Sequence, residues 1–512
     1  MGRKSHLLLE GESAAGSVLA PAKEKRQGPR WLNKGSHLHE TAMEEQEEFK
    51  KKILSYKLMY LMYSSYTTLV SFLSPLIMQF LKDNQQDDYG DFSILLQLTW
   101  IFKPVFGYWS DKFFPFKFRT KGYNSVLTFA NTLLAIALAL LVDPILNGTV
   151  SIGWMKILSV LLFLNLSFLD AVCQSMTIIT LRMEERLNVM NANLELPLQK
   201  TSLIKHYLLF TLVRGLSRPV FIFSATWLIN NKSLSLKYYS IGFYLIAAFS
   251  AYMCIHTVLI FNELKQKYWI NASASLVKHV KSFFQMLQKD LFVLIFVFGI
   301  LCTFAPFSEM DTSAIFNSRT KVSNYVDTIA AVIYSSIIIV SLLFLIYYNI
   351  RFIKRASNYV LTTALLESLM VIIFVPVYYI SGNNEDYTLV LEYFLLFLFQ
   401  AKQNITFFLM IILIVQYINK NSRGGIEGFS INCVASSMNI INVLSAVVGE
   451  KIFTRYIENH RSLDTVLEVG SVSIFLSISI FCISFYFFKF KRYQDVSSSK
   501  TITFKSTESN GM

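Results

Sequence analysis

KLMYLMYSSYTTLVSFLSPLIMQFL, from Lys57 to Leu81, carries no charge beyond its first residue. It is slightly longer than the ~20 residues a helix needs to cross hydrocarbon. Runs of the same kind recur at Phe92–Ser110, Asn124–Val142, Gly153–Thr180, Ile204–Ile229 and Tyr238–Phe261. After a polar interval they resume at Leu291–Phe307, Tyr325–Tyr348, Asn358–Ile380, Leu389–Ile418, Gly428–Phe453 and Val469–Phe488. Lipid offers backbone N–H and C=O groups no partner, so runs of this length must be helices that satisfy themselves. The sequence predicts an all-α, integral multi-pass membrane protein with about 12 transmembrane helices.

Composition excludes an ordinary soluble enzyme, with 53% hydrophobic against 16% charged residues. The formal charge of +13 forms no sustained basic stripe of the kind nucleic acid requires. The cations cluster at helix ends, where they anchor against anionic lipid. Loops after the even-numbered runs hold about eighteen Lys and Arg and the opposite loops about eight, which places both termini in the cytoplasm. The even-numbered group includes Lys112, Lys117, Arg119, Lys121, Arg351, Lys354 and Arg355. The sequons at Asn147 and Asn231 fall on the outer side of that topology. Cys173, Cys254, Cys302, Cys433 and Cys482 all lie in apolar runs without metal-ligand spacing.

Five segments follow. Residues 1–50 read as a disordered cytoplasmic tail with neither a signal peptide nor a complete myristoylation signal. Residues 51–262 form an N-terminal six-helix bundle, 263–290 a cytoplasmic linker, 291–490 a C-terminal six-helix bundle and 491–512 a second cytoplasmic tail. Six spans, a linker and six spans is the plan of the major facilitator fold.

Three strings carry chemistry. Lys103-Pro104-Val105-Phe106-Gly107-Tyr108-Trp109-Ser110-Asp111-Lys112 ends the second run. Its Gly permits close helix approach and its Asp suits capping one helix while clasping another, as in an inner-gate latch. Gly424-Gly425-Ile426-Glu427-Gly428 leads into the eleventh run, with Ser436 and Asn439 downstream. There Glu427 stands at a helix start, where the dipole favours a carboxylate. Pro306-Phe307-Ser308-Glu309-Met310-Asp311-Thr312-Ser313-Ala314-Ile315-Phe316 closes the seventh.

Together these strings resemble the folate–biopterin transporter family of the major facilitator superfamily. Lys103, Pro104, Gly107, Ser110 and Asp111 match its string after the second span. Gly425, Glu427, Gly428, Ser436 and Asn439 match its Gly-x-Glu-Gly string. Pro306, Asp311, Ser313, Ala314 and Phe316 are similar to its Asp-Ser-Ala-x-Phe string, and Asp170 to its buried Asp in span four. The chain departs in the Phe-rich segment Lys112–Lys121, where the family has clustered arginines, and in the loop after the seventh run. The resemblance implies transport of a folate, pterin or related anion, with protons as the driving ion and no cofactor.

Charge inside a membrane costs several kcal/mol and faces a cavity or a partner. Asp170 and Arg214 are the leading candidates for binding or coupling, followed by Arg218, Asp311, Lys402 and Asn439. Asp170 is read as the proton carrier and Arg214 as a bidentate clamp on an anion. The gate residues are Lys103, Pro104, Gly107, Asp111 and Glu427. A structural Asp170–Arg214 pair is the competing reading. His460 and Asp464 have an acyltransferase-like spacing but no supporting frame, and no Walker, zincin or Gly-x-Ser-x-Gly string occurs, so no enzyme is expected. The expectation is a proton-coupled secondary transporter in the plasma membrane rather than an internal one. The alternatives are a facilitator for another organic anion or a nucleoside-like metabolite, and a transport-dead receptor or scaffold.

Overall fold

The computed structural model describes residues 31–84, 89–193, 203–230, 237–263, 265, 270, 275–287, 369, 372–373, 427–460 and 463–490. The expected seventh to tenth runs therefore lie almost wholly outside the described residues, as do Asp311 and Lys402. Residues up to Phe49 form one unit and those from Lys50 onward another.

The described elements are α1 (Trp31–Thr67), α2 (Val70–Asp83), α3 (Tyr89–Leu98), α4 (Lys103–Lys112), α5 (Lys121–Leu146) and α6 (Gly153–Asn193). They continue with α7 (Leu203–Asn230), α8 (Lys237–Ile260), α9 (Leu276–Leu287), α10 (Glu427–Ala446), α11 (Arg455–His460) and α12 (Leu463–Phe490). Six described stretches are long and apolar enough to cross a membrane: Met43–Asp83, Lys121–Leu146, Gly153–Ala192, Leu212–Ile229, Tyr238–Ile260 and Gly428–Gly449.

The first expected run is interrupted. Thr67 and Thr68 turn their hydroxyls back onto the carbonyls of Ser64 and Ser65 at 3.1 and 2.6 Å. The backbone tightens there to bonds spanning three residues, and α2 starts afresh at Val70 with Pro75 inside it.

The second run also differs from a single continuous span. A 3₁₀ segment, Thr99–Phe102, separates α3 from α4, and Pro104 sits in the first turn of α4. Proline has no N–H for the carbonyl four residues earlier, and the first turn of a helix is where that bond is not needed, so Pro104 suits the start of α4. The eleventh run ends in a π-helical stretch, Val447–Thr454, in place of one continuous helix.

α6 has 41 residues, about 60 Å at the helical rise, twice the ~30 Å hydrocarbon thickness. Its far end is tied to α1 by a close ion pair between Glu184 and Lys57. Buried hydroxyls bind the first bundle internally. Tyr63 on α1 meets Thr257 on α8 at 2.5 Å, and Tyr66 meets Ser250 at 2.6 Å while accepting from Asn131 of α5 at 3.1 Å. Interhelical hydrogen bonds of this kind replace part of the hydrophobic drive that lipid removes.

The N-terminus of α5 is held by Glu263, which lies beyond the end of α8. Its carboxylate accepts the backbone N–H of Thr120 at 3.1 Å, the Thr120 hydroxyl at 2.9 Å and the N–H of Lys121 at 2.6 Å. An acidic group on otherwise orphan N–H donors also complements the helix dipole.

Candidate functional site

The breaks in the first two runs flank one buried carboxylate. Asp170, on α6, is fully buried. Lys103 donates to its Oδ2 at 2.5 Å and Gln174, one turn along α6, donates to the same oxygen at 2.9 Å. The Arg214 guanidinium lies 2.9 Å from Oδ1. The Lys103 ammonium also stands 4.6 Å from the centre of the Trp100 ring. Three helices, α4, α6 and α7, thus bring one anion and two cations together.

The expected Asp170–Arg214 pair is present as geometry, but Lys103 joins it. Its place in the gate string suggests a residue of the inner latch; it sits at the proline break of α4, buried against Asp170. Sequence reasoning missed Gln174, although its spacing of four from Asp170 on one helix was a readable signal. Arg218 is exposed one turn beyond Arg214. On α10, Asn439 Nδ2 and Asn442 Oδ1 are buried atoms without hydrogen-bond partners among the described residues.

A second cluster joins α4 to α10. Asp111 is buried at the end of α4 and accepts the backbone N–H of Phe429 on Oδ2 at 2.9 Å and that of Gly428 on Oδ1 at 3.3 Å. Arg119 donates to Oδ1 at 2.5 Å. The helix that Asp111 caps is therefore not its own, and its anionic charge sits on the positive end of the α10 dipole.

Close packing supports the cap. A Cβ on Gly107 would fall 2.5 Å from the Gly428 oxygen and 2.9 Å from Asn432 Nδ2, so only glycine admits this approach. Asn432 donates to the Ala171 carbonyl at 3.1 Å and to Gly428 O at 2.7 Å, and Ser436 donates to the Ile101 carbonyl at 2.7 Å. Glu427 begins α10 as expected for a helix start.

His279, on α9, completes the cluster. Its ring is buried, with Nε2 3.7 Å from Asp111 Oδ2 and its edge against Tyr108 and Phe429. Sequence reasoning gives its segment as a polar linker and misses it.

No protein-family model and no curated protein sequence matches the chain. Solved structures do. A point mutant of the nucleoside transporter NupG is 14% identical, with a TM-score of 0.50 over 84% of this chain and 99% of that one. The proton:xylose symporter XylE bound to 6-bromo-6-deoxy-D-glucose is 9% identical, with a TM-score of 0.53 over 86% and 95%. A bacterial homologue of the iron transporter ferroportin in an outward-facing state is 12% identical, with a TM-score of 0.52 over 84% and 98%.

The chain has the major facilitator fold. In that fold two six-helix halves meet around a central site. α4 and α6 lie in the expected first bundle and α10 in the expected second. The Asp111 cap, the Gly107–Gly428 approach and the Asn432 and Ser436 bonds join α4, α6 and the 3₁₀ segment before α4 to α10. The Asp170 cluster draws on α4, α6 and α7, and the carbonyl of the adjacent Ala171 accepts from Asn432 of α10.

Proposed function

We propose that the protein is a secondary transporter that moves a small organic anion, of folate or pterin type, by rocking one half of the fold against the other. The Asp170 cluster carries this reading. Ionisable groups are costly inside a membrane protein and mark solute or proton pathways. Here three of them converge beside two broken helices.

Arg214 serves as the solute contact, since its guanidinium offers a planar fork to a carboxylate. Solute that draws Arg214 away leaves Asp170 with Lys103 and open to a proton, which links proton movement to solute movement. Asn439 and Asn442 supply a donor and an acceptor from the opposite half. Asp311 and Lys402 keep their proposed places in the substrate path, and Arg218 stands at its margin.

Asp111, Gly107 and the start of α10 at Glu427 serve as the inner latch, with both termini in the cytoplasm and Asn147 outside. The membrane is proposed to be the plasma membrane. A 263–290 linker would separate the two bundles, at 51–262 and 291–490.

Uptake into proteoliposomes tests the reading, using labelled folate, a pterin, a nucleoside and a sugar with and without an inward proton gradient. Gradient-stimulated uptake of folate or pterin is expected. Arg214→Lys should weaken it, because the charge remains but the fork is lost. Uptake of the nucleoside or sugar alone would replace the substrate assignment, and no uptake of any solute would leave the scaffold alternative.

A further inference from the structure

α9 has three distinct faces. His279 and Phe283, one turn apart, point inward onto Tyr108, Asp111 and Phe429. Leu276, Val277, Val280 and Phe284 share an adjoining arc and are exposed, Val277 by 76% and Phe284 by 57%. Lys278 and Lys281 are exposed on the remaining, polar side.

This helix sits where membrane-spanning helices end. It packs against the last turn of α4 through Tyr108 and Asp111 and against the first turn of α10 through Phe429. Other apolar groups are bare at the same level. Phe113, just past α4, bridges to Ile270, and Phe113, Phe116 and Ile270 are all exposed. Cations stand among them, with Lys112 over the Phe113 ring and Lys265 over that of Phe118. An exposed apolar arc bordered by lysines, at the level where helices leave hydrocarbon, is the signature of a helix lying in the headgroup region of an anionic membrane.

We propose that α9 rests on the anionic lipid of the leaflet at this end of the molecule. Leu276, Val277, Val280 and Phe284 enter the acyl boundary, and Lys278 and Lys281 meet the headgroups. Because the inward face of the same helix holds His279 and Phe283 against Asp111 and Phe429, lipid binding braces the contact between the two halves. The bracing rests on the gate reading given above; the lipid contact does not.

The test uses the full chain without its native cysteines, carrying Phe284→Cys or, separately, Val277→Cys, each with an environment-sensitive fluorophore. Each is reconstituted into vesicles of phosphatidylcholine alone or phosphatidylcholine mixed with phosphatidylserine. The expected result is blue-shifted emission, quenched by lipids with nitroxides near the acyl carbonyls. Emission typical of water in both vesicles would overturn the lipid contact, whatever the protein transports. Spin labels at Val105 and Ile440, both exposed, report the separation of the halves in the same vesicles. Phosphatidylserine should increase the closed population. Lys278→Glu with Lys281→Glu should abolish the increase, with a loss of anionic preference of at least about fivefold for each lysine. Paired arginine variants should retain it. A response that survives charge reversal, or that the arginine variants also lose, would overturn the bracing.

Discussion

The carboxylate of Asp111 accepts the backbone N–H of Phe429, 318 positions later in the chain, at 2.9 Å. A residue of α4 thus supplies the N-terminal cap for α10. The cap exists only while α4 and α10 touch at this end, so in the proposed transport cycle its strength enters directly into the balance between open and closed states.

Asp111→Ala should shift that balance toward separation of α4 and α10. Hydrogen bonds to a charged group contribute about 1.5–3 kcal/mol each, enough to change the population ratio tenfold or more. Spin-label distances across the contact should lengthen while equilibrium solute binding changes little. Lost binding with unchanged distances would reject the latch.

Gly107→Ala tests packing rather than charge. The added methyl would lie 2.5 Å from the Gly428 oxygen, and relieving such overlap costs about 1–3 kcal/mol. It should reproduce the open shift of Asp111→Ala with every latch charge in place. Gly153→Ala is the control, since its Cβ would meet only Ser151 Oγ, at 3.4 Å. Distance distributions for the two variants should differ clearly.

Asp170→Asn removes the carboxylate charge that Lys103 and Arg214 share, and breaking a buried ion pair costs about 3–5 kcal/mol. Melting in detergent should fall accordingly, and Lys103→Met should recover part of the loss by removing the buried ammonium that paired with Asp170. The double variant should still exchange solute but lose uphill, proton-driven uptake. Uptake with the wild-type pH dependence would make the cluster structural.

Glu263→Gln keeps the shape of the α5 cap and removes its charge. A loss of about 0.5–2 kcal/mol is expected from caps and the helix dipole. Thermal melting should register it, while the distance between α4 and α10 should remain at the wild-type value.

Much of this protein is written in its local sequence. Runs with no charge beyond an end residue, such as Lys57–Leu81, dictate membrane-spanning helices because hydrocarbon leaves the backbone no other choice. A lone Asp170 in such a run announces a buried partner, because an unpartnered charge there costs several kcal/mol. Gly107 and Asp111 at a helix end suggest a close contact with a cap. These are properties of single segments in a known solvent, and segment chemistry suffices to read them.

What the sequence by itself left open is who meets whom. Lys103 lies in the gate string, yet the break at Pro104 turns it inward to Asp170. Asp111 gives no hint that its partners are the N–H groups of Gly428 and Phe429. Glu263 and His279 look like ordinary polar residues of a linker, and only packing places one on the start of α5 and the other beside Asp111. Such pairings depend on how helices far apart in the chain lie against one another. Local periodicity and composition carry no information about that, so the tertiary structure alone decides it.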